Sequence, residues 1–334
     1  MDDYNPQRMM WSLSPRDVAM SPETRLSSAA LLDRTVQAIA ARIQTAPHVK
    51  SVLIAPSFGR VGARKPFDAA WVAAIQDHLE LALPSHTIRI VPGDGSEHFG
   101  YERGNVPVLR DSFADGCRRT LDLSDLPVYQ IQEPDWPLPV KVPIVAFTQH
   151  FLITLSTLAT DPYHFVNGSV VHQMSLFPGL LAHVAGPHVR WAARTACTLW
   201  KPDLCVLDAR HVVVETETRL QRSIDVADIG CVIVGNSPPL VDSTAAELLH
   251  IQPSRVPFLT LEDFRGVSQD AEIIGNPVPM LARLAVSPYS YSARLHNAVS
   301  GFASKTVQSV DKTIDALDVP RMADFVRRAR GGAG

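Results

Sequence analysis

The sequence predicts an α/β fold: an open, mostly parallel sheet with helices on both faces, followed by an amphipathic helix at the C-terminal end. Three observations predict it. The chain opens as helix, strand, helix, strand, an alternation that aligns successive strands in parallel through crossover helices. Its strand-like runs "SVLIAPS", "LCVLDA" and "IGCVIVG" are apolar nearly throughout, as strands covered on both faces are. A hydrophobic content of 46% over 334 residues is ample for a substantial core.

Taken in order, a polar arm over 1–24 precedes an α/β body over 25–290 and a helical tail over 291–334. Leu32, Val36, Ile39 and Ile43 recur at spacings of four, three and four, which places them on one helix face. "VKSVLIAPS" then reads as a buried strand ended by Pro56, and a helix over about 67–83 leads to the β-branched run Thr87 to Val91. The segment 122–143 holds five prolines and reads as a linker or a surface excursion. Further strands are predicted at 142–147, 204–209 and 229–235, with helical segments at about 151–159, 170–200 and 240–249. In the tail, Leu295, Val299, Phe302, Val310, Ile314 and Leu317 form an apolar helical stripe.

Several function classes fall away. A net charge of -3 with no extended basic stripe gives no reason to expect nucleic acid. No run of eighteen apolar residues suggests a membrane span, and the acidic start "MDD" lacks a signal-peptide core, so a cytoplasmic protein is expected. Cys117, Cys197, Cys205 and Cys231 form no C-x-x-C pair, against an iron–sulfur cluster or a disulfide framework; Cys205 and Cys231 read as buried core thiols. The loop "GDGSEHFG" has its third glycine too late for a dinucleotide fingerprint, and Asp94 and Glu97 would repel a phosphate. Its glycines serve a turn. No organic cofactor is expected, and no metal site either: His164 and His172, eight apart with Gly168 between them, fit no helical ligand pair.

In an open parallel sheet, ligands bind outside the carboxyl ends of the strands. The polar residues at the predicted ends are Ser57, Arg60, Asp94, Ser96, His98, Thr148, His150, Asp208, His211, Asn236 and Asp242. Asp242 precedes "STAAELL", where a helix cap is the competing role. Histidine moves protons near neutral pH, which adds His164 and His172 of "TDPYHFVNGSVVHQ", and a strand-end aspartate such as Asp208 suits a base or an imidazole orienter. With no G-x-S-x-G elbow, covalent acyl chemistry is disfavoured.

Side by side, "SVLIAPSFG", "IVPGDGS", "KPDLCVLDA" and "VIVGNSPPLVDSTAAELLHIQPSRVPFL" resemble, in that order, the pieces of the family known as domain of unknown function 362, over about 49–275. His172 matches a histidine of that family. The chain departs from it in carrying Phe147 and Leu158 where the family has lysines, Ser237 where it has an aspartate, and no cluster cysteines. Phenyl and isobutyl groups cannot neutralise an anion, so the resemblance implies a different ligand, or one held by Arg60, Arg64 or Lys65.

The expected function is therefore an enzyme doing acid–base proton transfer on a small organic metabolite (an isomerase, lyase or cyclase), with His172, His164 and Asp208 as the acid–base groups. The alternatives are a metal-dependent or redox enzyme and a non-catalytic binding protein. The apolar stripe of the tail also predicts a homodimer, since such stripes are uncommon on monomers. Replacing both Phe302 and Val310 by aspartate should convert the dimer into folded monomer in sedimentation, because an unpaired charge is costly to bury at an interface; wild-type protein sedimenting as a monomer at micromolar concentration would refute the dimer.

Overall fold

The structure, a computed structural model, describes residues 26–57, 69–91, 121, 123, 126–132, 139–161, 165–177, 189–217, 222–256, 258–259 and 271–275. Along these the chain forms α1 (Ser28–Gln44), β1 (Ser51–Pro56), α2 (Ala69–Ala82), β2 (Thr87–Ile90), β3 (Val128–Ile131), β4 (Val140–Pro143) and a 3-10 turn (Ile144–Phe147). It continues through β5 (Phe151–Asp161), β6 (Phe165–Asn167), α3 (Ser169–Ser175), α4 (Val189–Leu199), β7 (Leu204–Glu217), β8 (Arg222–Gly235), α5 (Pro238–Leu248), a second 3-10 turn (Pro253–Arg255) and β9 (Glu272–Gly275).

One sheet runs β2-β1-β5-β7-β8-β9, with β6 added alongside the far end of β5. The pairs β1/β2, β1/β5 and β5/β7 are parallel, whereas β7/β8 and β8/β9 are antiparallel. Because two reversals restore the direction, β9 points the same way as β2, β1, β5 and β7. The sheet is mixed and mostly parallel, as the sequence predicts.

Alternation along the strands divides the core in two. Val52, Ile54, Ile153, Leu155, Val206 and Val232 face α1 and α2, where Ile39, Ile43, Trp71, Val72 and Ile75 cover them. Leu53, Ala55, Leu152, Cys205, Leu207 and Ile233 face α3, α4 and α5, under Val171, Met174, Ala193, Ala196, Val241 and Ala245. α1 begins where Ser27 accepts a hydrogen bond from the Ala30 amide at 3.2 Å, and the predicted positions Val36, Ile39 and Ile43 are its buried stripe. Burial pushes the thiols of Cys205 and Cys231 up to about 12, so both are protonated core groups.

Three expectations are corrected. Residues 151–159 are not helical but lie in β5, the strand at the centre of the sheet. "FLITLSTLAT" is apolar or hydroxylated on both faces, so its periodicity does not separate strand from buried helix, and its β-branched content suits the pleat. The strand predicted at 142–147 is instead β4, which pairs antiparallel with β3 and ends in the 3-10 turn. The proline-rich segment thus carries a two-stranded ribbon, and its Val140 and Val142 are buried in the core. Finally, 170–200 is not one helix: α3 and α4 are separate, with a stretch outside the described residues between them. The N-terminal arm over 1–24, the C-terminal stripe, Arg60, Asp94, Ser96, His98 and His164 also lie outside the described residues.

Ile54 is fully buried on β1 and paired on both sides, by Ile90 and Ile153. Ile54→Ala should lower unfolding free energy by about 2–5 kcal/mol in denaturant titration, through lost transfer energy and a residual cavity. Leu81→Ala, at a position 81% exposed, should stay within about 0.5 kcal/mol of the wild type.

Candidate functional site

At the carboxyl end of β1, beside the continuing strands β5 and β7, the apolar rows give way to polar groups. The Ser57 amide donates to the Leu155 carbonyl at 2.7 Å, extending the pairing one residue past β1, and its Oγ lies 3.1 Å from Thr157 Oγ1. Thr157 is in register with Asp208 on β7. Asp208 accepts three hydrogen bonds from Arg210: from the amide and from Nε at its Oδ1, at 2.9 and 3.0 Å, and from Nη2 at its Oδ2, at 2.9 Å. The guanidinium Cζ stands 4.1 Å from the centre of the Trp71 ring, at the start of α2, in cation–π geometry.

A bulge creates this pairing. Ala209 is opposite Cys231 but His211 is opposite Asp228, so two β8 residues, Ile229 and Gly230, face the single residue Arg210. Gly230 takes the extra turn at φ 78°, a left-handed backbone that glycine adopts without strain. Interrupting the ladder leaves the Arg210 amide in need of an acceptor, and the Asp208 carboxylate supplies it. The two side chains lie on one strand face because they are two residues apart. Both are nearly buried, at 9% and 6% exposure, so each depends on the other for its charge to be compensated.

On the opposite face, His172 and Asp242 organise α3. The His172 Nε2 donates to the Ala55 carbonyl at 2.8 Å, since a carbonyl only accepts. Its Nδ1 lies 3.2 Å from Ser175 Oγ, which also donates to the His172 carbonyl at 2.7 Å. Asp242, fully buried in α5, accepts from the amides of Ser169 and Val170 at 2.6 and 2.9 Å. Capping is therefore its structural role, but of α3 and not of its own helix, whose N-cap residue is Ser237. A Cβ on Gly168 would overlap Asp242 Oδ1, so glycine is what lets the carboxylate approach. Burial raises the Asp242 carboxyl to about 7, against the downward pull of the two amides and of His172.

The remaining sequence candidates lie elsewhere. Thr148 and His150 precede β5 and Asn236 follows the antiparallel β8, which places all three at the amino border of the parallel strands and not at their carboxyl ends. His150 accepts from Trp200 Nε1 at 3.0 Å, and its Nδ1 lies 3.3 Å from Thr148 Oγ1, which donates to the Val145 carbonyl at 2.8 Å. Burial lowers the pKa of this histidine, with Asp203 opposing. His211 and Asp228, both exposed, pair across β7 and β8 at 2.6 Å. The structure thus brings Ser57 and Asp208 to one border and adds Thr157, Arg210 and Trp71, which sequence reasoning missed. Only "DAR" carried a local signal, an acid and a base at strand spacing. Among the described residues, no three His, Cys, Asp or Glu side chains gather as a metal-binding group would. Nor is any described helix long and apolar enough to cross a membrane.

No family model matches the chain. No curated protein matches it either. Among solved structures, it is similar to a protein from Thermotoga maritima, at 9% identity and a TM-score of 0.37 over 66% of this chain and 59% of that one. It is also similar to the lactate racemase apoprotein from Thermoanaerobacterium thermosaccharolyticum, at 8% identity and a TM-score of 0.34 over 61% of this chain and 53% of that one. The matched part thus spans less than two thirds of either solved chain.

Asp242 makes stability depend on pH. Its carboxyl titrates at 3.8 when unperturbed and at about 7 in the fold, so between these values the native state binds a proton that the unfolded chain has released. Stability then falls as pH rises through this window and levels off above it. Denaturant titrations from pH 4 to 8 should show the wild type losing roughly 2–4 kcal/mol relative to Asp242→Asn; parallel profiles for the two proteins would show that Asp242 is already charged in the fold.

Proposed function

We propose that this chain is an enzyme acting on a small organic metabolite by acid–base proton transfer, where the end of β1 meets β5 and β7, with Asp208, His172 and His164 as its acid–base groups. One observation carries the reading. Where β1 ends, Ser57 lies beside Thr157 within β5, which is in register with Asp208 of the Asp208–Arg210 pair within β7, and the carboxyl side of the parallel strands is where open α/β sheets bind ligands. The order of sequence pieces shared with domain of unknown function 362 supports kinship with that family, as a divergent relative.

The roles follow from hydrogen-bonding capacity. A carboxylate offers about four lone-pair directions, and Arg210 occupies three of those of Asp208. The remaining direction can accept a substrate proton, and the fixed guanidinium holds the carboxylate in one orientation. Ser57 and Thr157 hydroxyls, already within hydrogen-bond distance of each other, can donate to a substrate oxygen. His172, bonded to the carbonyl of Ala55, reaches the end of β1 from beneath.

The test uses solvent isotope. Incubating the protein with pooled metabolites in deuterium oxide should label one metabolite at carbon, detected by mass spectrometry, because proton transfer exchanges hydrogen even at equilibrium. Asp208→Asn should cut the labelling rate at least about 100-fold, the lower range for a general base. A metabolite retained without labelling would favour the non-catalytic reading. Labelling that requires an added divalent metal would favour the metal-dependent one.

A further inference from the structure

A concavity of about 340 Å³ lies at the opposite border of the sheet, lined by His48, Lys50 and Ser51 at the entry to β1, Thr87 and Arg89 of β2, and Gln149 before β5. Buried Val49 is its one apolar lining residue. The composition is lopsided. In a chain with 34 acidic and 31 basic residues, the lining holds two cations and an imidazole and no carboxylate.

The backbone explains why these groups converge. Parallel register sets Ser51 beside Thr87 and Leu53 beside Arg89, which puts Thr87 and Arg89 on one face of β2. The Thr87 amide donates to the Lys50 carbonyl at 2.8 Å, tying the entry to β1 against the first residue of β2. Two of the three segments are therefore anchored to the sheet. Among the described residues, neither Lys50 nor Arg89 forms an ion pair or a side-chain hydrogen bond. Their charges remain available for a ligand.

We infer that this pocket binds a phosphate group, either free phosphate or the phosphoryl end of a small metabolite. Donors approach from three chain segments: Lys50 and Ser51, Thr87 and Arg89, and Gln149. A tetrahedral dianion presents three or more oxygens and two negative charges to these donors, whereas a planar carboxylate presents two oxygens and one charge. Arginine contributes a forked pair of donors and lysine a point charge. The volume lies at the small end of ligand sites and suits a small molecule better than a polymer. From Ser51 to Ser57 the strand runs six residues, about 20 Å, so the pocket is separate from the proposed catalytic border.

Isothermal titration at low ionic strength with inorganic phosphate, a phosphomonoester such as glycerol phosphate, and acetate tests this. Saturable binding of phosphate or phosphomonoester at one site is expected, weakened on the order of tenfold by Lys50→Ala or Arg89→Ala, retained in Lys50→Arg, and unchanged in Asp208→Asn. A tighter phosphomonoester would identify a phosphorylated metabolite as the ligand; equal affinity would identify free phosphate. No saturable binding, acetate binding as tightly as phosphate, or full affinity in both alanine variants would overturn the inference. Because Asp208 does not line this pocket, failure of the catalytic proposal would leave this result intact.

Discussion

The arrangement at the carboxyl border depends on the parallel pairing of β5 with β1 on one side and β7 on the other. That pairing sets Pro56 beside Leu155 and Thr157 beside Asp208, so the end of β1 arrives beside polar groups within β5 and β7. It is possible because β5 is covered on both faces: Ile153 and Leu155 enter one core, Leu152 the other, and the hydroxyls of Thr154 and Ser156 are fully buried. Burial of this kind favours a partner for each polar group. Ser156 meets Ser169 at 3.0 Å, whereas Thr154 Oγ1 is buried without a hydrogen-bond partner among the described residues.

Two buried carboxylates illustrate opposite solutions to the same desolvation cost. Asp208 is compensated by a full positive charge, in bidentate geometry and with a third bond from the backbone. Asp242 has only the partial charges at the start of α3 and the neighbouring His172, and burial outweighs them, so its carboxyl rises toward neutrality. Asp208 therefore serves as a fixed charge within β7, whereas Asp242 is a pH-sensitive pin between α5 and α3. The pin matters for the site indirectly: α3 carries His172, whose Nε2 holds the Ala55 carbonyl near the end of β1.

The sheet also has two chemically different borders. The carboxyl border carries a compensated ion pair and paired hydroxyls, and the amino border carries exposed cations without a counter-ion among the described residues. The same β1 ends at both. A ligand at the amino border would meet its backbone at Ser51, whereas a substrate at the other would meet it at Ser57.

Local chemistry made much of this fold legible. β1 and β2 are apolar runs closed by turn residues, and α1 is an amphipathic stripe behind a serine cap, all properties of residues adjacent in sequence. Ser57 could be placed at a strand end for the same reason, whereas Asp208, expected to end its strand, lies within β7, which runs on to Glu217. The rest was decided by contacts between distant segments. Period-two patterning does not encode strand direction, so the antiparallel hairpin of β7 and β8 was not visible, and neither was the bulge at Gly230 that turns "DAR" into a buried ion pair. β5 looked helical because a strand buried on both faces loses the alternation by which strands are recognised. Asp242 looked like a local cap, yet it caps a helix 72 residues away in sequence, a choice that only the packing of α5 against α3 could make. Short-range periodicity and turn chemistry thus determined the elements, while register, direction and the partners of buried charges came from the tertiary fold, where desolvation forces each charge to find the nearest compensating group in space.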